Sequence, residues 1–407
     1  MPLRLLGHVR LPAPFDFELA VWRLNHYGGG PFVPLRAGTA GTSTPGGGRH
    51  PIDVVEEPGP VRVLDEAGGL LAESPFAGLA TPELCRELYR WMVLGRRLDQ
   101  EAYNLQRQGE LGLWLSCRGQ EAAQVGSVSA LRGSDHIFPA YREHAVGLYR
   151  GISPGELLAS WRGCAHGGWD PARYRMHIYS LVLATQTLHA TGYAMGVQAD
   201  GADEVVLVYL GDGATSQGDA SEALNWAAVT QAPVVFFCQN NGWAISTPAA
   251  EQFRAPLHRR AAGFGLRAAC VDGNDAVAVH AVTGEAVAAV RAGGGPAFVE
   301  AVTYRMAGHS TSDDPSRYRE AAEVEAWQAR DPLARLAALL TGQGWIDDGF
   351  RGALDAEADD LAADTRRACL ALPPPRLEDT FRTTLVEETA LLSAERAAFT
   401  AFKESLA

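Results

Sequence analysis

The chain has 407 residues, enough for two or three domains of about 150 residues or for one large α/β domain with extensions. Hydrophobic residues make up 47% and charged residues 20%, which supports a sizeable core and excludes global disorder. The 35 Lys and Arg against 48 Asp and Glu leave a net charge of −13, which argues against general nucleic-acid binding. Residues 1–60 read as an irregular arm. Gly28, Gly29, Gly30, Gly46, Gly47 and Gly48 crowd it, with Pro31, Pro34 and Pro45 between them. Arg4, His8 and Arg10 interrupt any signal-peptide core, and no apolar run approaches the roughly 18 residues of a membrane span. From Thr81-Pro82, a good helix start, Leu84, Leu88, Trp91, Met92 and Leu94 recur at helical spacing.

Beyond residue 135 strands and helices alternate. Val205–Leu210 reads as a buried strand. Asp219 to Thr230 reads as a helix opened by a D-x-x-E cap at Asp219 and Glu222, with Ala220, Ala223, Leu224, Ala227 and Ala228 on its apolar face. Strands follow over Pro233–Cys238, Ala268–Val271 and Ala297–Tyr304, with a helix over Ala276–Val290 before the last. Continuous apolar strands alternating with helices predict an α/β fold with a mainly parallel, helix-covered sheet. After Asp331 the chain reads as helical until Pro373-Pro374-Pro375, and Phe381, Leu385, Leu392 and Phe399 follow along one helical side. The expected organisation is therefore an arm (1–60), one α/β domain (61–345) and a helical extension (346–407). Six cysteines without a C-x-x-C pair suit a cytoplasm-like, reducing compartment. The one close Cys/His pair, Cys164-Ala-His166, reads as an ordinary loop.

The most informative stretch runs from Gly211 to Gly242. Asp212 follows one strand, Asn241 follows the next, and residues 213 to 240 lie between them with one helix. A right-handed crossover makes those strands parallel, so both side chains arrive at the carboxyl edge of the sheet, where such folds bind ligands. Gly211 and Gly213 let the backbone turn and approach a bulky ligand. A carboxylate beside an amide oxygen suits Mg²⁺, which keeps places for phosphate oxygens. Each tripeptide alone would be an ordinary turn; the pairing at two strand ends is what points to a site. Neither a P-loop nor a G-x-G-x-x-G fingerprint is present here.

Gly211-Asp212-Gly213, then 26 residues, then Asn240-Asn241, is the thiamine diphosphate signature. The chain resembles the α subunit of the E1 component of 2-oxo acid dehydrogenases, most closely the branched-chain (2-oxoisovalerate) type. The resemblance spans roughly residues 60 to 345 and includes Arg62–Asp65, Tyr141-Arg142-Glu143, Leu183–Gln186, Phe237–Thr247, Val271–Asp275 and Thr303–Asp314. It implies a thiamine diphosphate-binding fold. Asp212, Asn241 and the Trp243 carbonyl fall on metal-ligand positions. Arg142 and Arg305 fall on diphosphate positions with Tyr141 beside them, and Gly213 and Ala214 offer backbone N–H groups. Leu183 supports the folded cofactor. Ser180, Thr185 and Gln186 match a monovalent-ion (K⁺) site. A family arginine is Gln239 here, and Ala140 replaces a polar residue. Ser310 matches a phosphorylated position of mammalian members, but a second such position is Glu320, so two-site control by a dedicated kinase is not implied.

The implied activity is oxidative decarboxylation of branched-chain 2-oxo acids with transfer of the acyl group to the lipoyl group of an E2 acyltransferase. The alternative is a pyruvate or acetoin dehydrogenase α subunit. The length leaves no room for a second α/β domain carrying the glutamate that the cofactor's aminopyrimidine needs. The resemblance implies that a β subunit supplies it in an α2β2 heterotetramer, without nucleic acid or membrane. His309, four residues after Arg305, is the expected catalytic residue: an imidazole at the mouth of the site can move a proton.

Overall fold

The computed structural model describes residues 59–406 apart from 166, 375–380 and 382–384. The glycine-rich arm as far as residue 58, His166 and Pro375 lie outside the described residues. Helix α1 (Pro82–Arg107) opens where Thr81 Oγ1 accepts the Leu84 N–H at 3.3 Å, with Pro82 at its first position. Of its expected apolar stripe, Leu88, Met92 and Leu94 are buried, and Leu84 and Trp91 are half-buried. Helix α2 (Glu121–Ser129) follows, then strand β1 (His136–Phe138) and the short helices α3 (His144–Tyr149) and α4 (Pro154–Ala159). Helix α5 (Thr185–Asp200) leads into β2 (Val206–Gly211), α6 (Gly218–Thr230), β3 (Val234–Asn240) and α7 (Leu257–Gly263). Then come β4 (Arg267–Asp272), α8 (Ala276–Arg291), β5 (Ala297–Val302), α9 (Ala321–Gln328), α10 (Pro332–Gly342), α11 (Asp348–Ala371) and α12 (Ala390–Glu404).

The five strands form one sheet in the order β1-β2-β3-β5-β4, with every neighbouring pair parallel. The α/β expectation holds. Residues alternate between two faces, and each face has its own core. Leu207, Tyr209, Val235, Phe237 and Val299 pack with α1, α2, α8 and α10. Val206, Val208, Phe236, Cys238 and Phe298 pack with α5, α6 and α7. Strands buried on both faces explain the unbroken apolar runs seen in the sequence. Among the described residues no helix is long and apolar enough to cross a membrane.

Several expectations need correction. The cap of α6 is not at Asp219: the helix begins at Gly218, its N-cap is Gln217, and no side chain caps it. The chain enters α6 directly from a 3₁₀ turn at Asp212–Ser216, so Asp219 lies inside the first turn, where it favours the helix dipole instead. The last strand ends at Val302, not Tyr304: its partner β3 ends at Asn240, and the Thr303 N–H closes that final pair on the Asn240 carbonyl. Leu385 precedes α12 and lies outside any helix, so the expected stripe is not one helical side. No residue of α12 is buried.

Candidate active site

Strands β2 and β3 end at Gly211 and Asn240, so Asp212 and Asn241 begin the segments leaving the same sheet edge. Register pairs Gly211 with Gln239, which sets these two ends side by side. They face a pocket lined by residues of six segments, among them Gln120, Tyr141, Arg142, Leu183, Asp212, Asn241 and His309. Gly213 is required by space: a Cβ there would stand 2.6 Å from the Ala244 Cβ. Two non-glycine residues beside the pocket hold left-handed backbone, Ala184 (φ 68°) and Ile245 (φ 54°). Such conformations cost about 1–3 kcal/mol each and gather at ligand sites.

The Asp212 carboxyl is buried, and desolvation raises its pKa. Hydrogen bonds from Gln252, whose Nε2 lies 3.1 Å from Oδ2, and from the Asp212 and Asn241 backbone oppose the rise. Asn241 Nδ2 donates to Gln120 Oε1 at 3.1 Å, and its Oδ1 accepts the Trp243 N–H at 3.3 Å. The Asn241 amide is thus oriented with its oxygen turned to its own loop. The Trp243 carbonyl accepts from Arg305 Nη1 at 3.3 Å.

Arg142 and Arg305 are both buried, although a basic side chain taken alone is usually on the surface. Arg142 donates to the carbonyls of Ser116 (2.5 Å) and His309 (3.0 Å). Arg305 donates from Nη2 to the Ile245 carbonyl (2.7 Å) and to Tyr318 Oη (3.0 Å), while its Nε is buried without a partner. Burial first, and Arg142 second, bring the Arg305 guanidinium down to about 10. The same burial, with the fields of Arg142 and Arg305, lowers His309 to about 4. The pocket therefore carries a buried positive potential that two neutral carbonyls per guanidinium do not cancel. That is an environment for an anion.

The expected residues Tyr141, Arg142, Leu183, Asp212, Gly213, Ala214, Asn241, Trp243 and His309 all line this one pocket; Arg305 stands behind it on Trp243 and Ile245. Ser180 and Gln186 line it and Thr185 does not. Ser180 Oγ donates to the Val182 carbonyl at 3.3 Å, whereas Gln186 Oε1 is buried without a partner. The loop Gly308–Ser316 is tied down: Asp313 accepts from the His309 N–H (2.6 Å) and from Tyr318 Oη, so His309 is held against the Tyr141 ring, centroids 6.2 Å apart.

Sequence reasoning passed over Gln120, Glu143 and Gln252. Glu143 is buried in the pocket wall, and desolvation pushes its carboxyl up to about 7. Gln239 Nε2 donates to it at 2.6 Å, so the residue standing in place of a family arginine serves a carboxyl whose charge burial disfavours. The adjacency of Glu143 to Arg142 was the only signal for it. Gln120 and Gln252 come from segments without any motif.

A family model described as dehydrogenase E1 component matches residues 89–373. The chain is 45% identical over 338 residues to the 3-methyl-2-oxobutanoate dehydrogenase subunit alpha of Mycobacterium tuberculosis, covering 83% of this chain and 92% of that protein. It is 37% identical over 331 residues to the mitochondrial 2-oxoisovalerate dehydrogenase subunit alpha 2 of Arabidopsis thaliana, covering 79% and 70%. It is 38% identical over 298 residues to the human mitochondrial 2-oxoisovalerate dehydrogenase subunit alpha, covering 70% and 67%.

Proposed function

We propose that this chain, which belongs to the dehydrogenase E1 component family, is the α subunit of a thiamine diphosphate-dependent branched-chain 2-oxo acid dehydrogenase. With a β subunit it decarboxylates branched 2-oxo acids and passes the acyl group to the lipoyl group of an E2 partner. The observation that carries the proposal is the buried positive potential of Arg142 and Arg305 beside the Asp212 carboxylate at one sheet edge. A diphosphate with a divalent cation matches that charge pattern: phosphate oxygens take the guanidinium groups, and the cation takes the carboxylate.

Asp212, the Asn241 amide oxygen and the Trp243 carbonyl would hold Mg²⁺. Two of these oxygens accept from Trp243 N–H and Arg305 Nη1, each at 3.3 Å, and each keeps a second lone pair for the ion. Arg305 Nε, orphaned in the protein alone, is a further donor for the same anion. Tyr141 stands beside the diphosphate position, Gly213 and Ala214 offer N–H groups there, and Leu183 supplies an apolar support for the bent cofactor. The orphaned Gln186 oxygen, near Ser180 and Thr185, is the donor that favours a K⁺ site. Thiamine diphosphate, when bound, supplies the electron sink for decarboxylation. The chain's residues anchor, orient and move a proton. His309 would give that proton to the departing lipoyl sulfur. Burial first, and the fields of Arg142 and Arg305 after it, hold its imidazole down at about 4; a phosphate anion beside the two guanidinium groups would offset their fields and raise it.

A partner subunit is favoured by what the chain lacks and what it exposes. Among the described residues there is one five-stranded parallel sheet and no second sheet of that size. Leu181 and Val182, next to the Leu183 lining, are 63% and 71% exposed, and Ile245 is 54% exposed. On α12 and just before it, Val386, Leu391 and Phe402 are exposed as well. Such apolar surface marks an interface. Residues 61–345 would then be the diphosphate-binding domain, with the 346–407 extension as a contact element. None of the six cysteines is in a disulfide, which suits the cytoplasm. The test is kcat/KM of the reconstituted α/β complex with 3-methyl-2-oxobutanoate and with pyruvate. The branched substrate should be preferred; a larger value for pyruvate moves the assignment to a pyruvate dehydrogenase.

A further inference from the structure

Behind the active-site edge, on the sheet face covered by α7, three potential metal ligands converge. Cys270 of β4 and Glu300 of β5 are Cα partners in the parallel register, so their side chains leave the sheet on the same face, about 4.8 Å apart at the backbone. His258, at the start of α7, closes the group. Its backbone N–H and its Nδ1 both lie on Glu300 Oε2, at 2.9 and 2.6 Å. The ligand atoms of His258, Cys270 and Glu300 all lie within 4.8 Å of one another. Glu300 is buried, and its other oxygen accepts from Asn240 Nδ2 at 2.8 Å.

We propose that His258, Cys270 and Glu300 form a binding site for one zinc-class divalent ion, separate from the Asp212–Asn241 edge. The donor set decides the class. One nitrogen, one thiol sulfur and one carboxylate oxygen suit Zn²⁺, whereas Mg²⁺ and Ca²⁺ take oxygen alone. Tetrahedral zinc, with bonds of about 2.0–2.3 Å, sets its ligand atoms roughly 3.3–3.8 Å apart, so small side-chain rotations close the observed group. The charges close as well: a carboxylate and a thiolate neutralise the ion. On binding, the Cys270 thiol releases its proton to solvent, and the imidazole proton moves from Nδ1 to Nε2, which frees Nδ1 as a ligand. Water completes the fourth position from the half-exposed His258 and Cys270 side. Cys238 occupies the same register on β3, but its sulfur is not part of the converging group.

The geometry gives the ion a structural task. It clamps α7 to β4 and β5, and through Glu300 and Asn240 it stiffens the strand end that carries Asn241. Co²⁺ added to the full chain, stripped of metal by a chelator, reports a thiolate ligand through a sulfur-to-cobalt charge-transfer band. One equivalent should generate the band, Zn²⁺ should bleach it, and Mg²⁺ should not. Cys270→Ser should abolish it, and His258→Gln should weaken Zn²⁺ binding at least tenfold. Cys164→Ser and Asp212→Ala should both keep it, which separates this site from the proposed cofactor site. Zinc should also raise the unfolding temperature of the natural chain and not that of Cys270→Ser. No band in the natural chain, or an undiminished band in a folded Cys270→Ser variant, overturns the proposal.

Discussion

Two buried charged clusters sit at carboxyl ends of the same sheet, and they differ in how completely they are closed. At the end of β4, Arg335 donates to the Asp65 carbonyl (2.7 Å), to Asp272 (2.9 Å) and to the Leu64 carbonyl. Asp275 accepts the N–H groups of Val63 (2.7 Å), Leu64 (2.6 Å) and Ala278 (3.0 Å). No polar side-chain atom of Arg335, Asp272 or Asp275 is buried without a partner. At the ends of β2 and β3, Arg305 Nε, Gln120 Nε2, Gln186 Oε1 and Gln252 Oε1 are all orphaned. The first cluster completes itself and pins the segment before α1 to α8 and α10. The second is completed only by something else. Buried charge alone therefore does not mark a site; buried charge with unmet partners beside a cavity does.

The contrast predicts opposite consequences for superficially similar substitutions. Asp275→Ala strands the buried N–H groups of Val63, Leu64 and Ala278, and should lower unfolding free energy by about 3–5 kcal/mol in urea titrations. Asp212→Ala should change it by less than about 1 kcal/mol, because burial already disfavours that carboxylate. Equal losses would erase the distinction. On the functional side, His309→Ala should suppress lipoyl acylation by about 10²-fold in the reconstituted complex, the low end for general acid–base catalysis. Decarboxylation with an artificial electron acceptor should fall less; equal losses place His309 in an earlier step or in ordering the loop alone.

The smallest effect concerns a closed polar pair in the wall. His144 is fully buried between Tyr179 Oη (2.7 Å) and the Leu115 carbonyl (2.9 Å), and desolvation brings it from 6.5 to about 3. A depressed imidazole stays neutral in the folded chain while the unfolded chain takes up a proton. Its contribution is thus intact above pH 6.5 and is lost as pH falls toward 3. His144→Gln should cost unfolding temperature at pH 8 and visibly less at pH 5. A pH-independent difference would show that packing, rather than protonation, sets its role.

Much of this was legible because the informative residues flank unbroken strands. Val206–Leu210 and Val234–Cys238 announce buried parallel strands, and their ends locate Asp212 and Asn241 without any structure. The opening of α1 is local chemistry and reads correctly from Thr81 and Pro82. What stayed hidden depends on long-range meetings. Gln120 and Asn241 are 121 residues apart, and Gln239 and Glu143 are 96 apart. Nothing local in either segment signals the contact. Asp219 misled because a capping pattern presupposes a free helix start, and the preceding 3₁₀ turn removes it. Leu385 misled because the apolar spacing of Leu385, Leu392 and Phe399 was read as one helix, whereas the Thr389 side chain caps the Leu392 N–H and opens α12 only at Ala390.

The central claim is that the unclosed cluster at β2 and β3 is a metal–diphosphate site. Titration calorimetry of thiamine diphosphate into the reconstituted α/β complex, with and without Mg²⁺, tests it most directly when run on the natural chain, Asp212→Ala and Asn241→Ala. The natural complex should bind in a Mg²⁺-dependent manner, and both variants should lose that binding while keeping their unfolding temperature. Unchanged, Mg²⁺-dependent affinity in either folded variant would contradict the assignment.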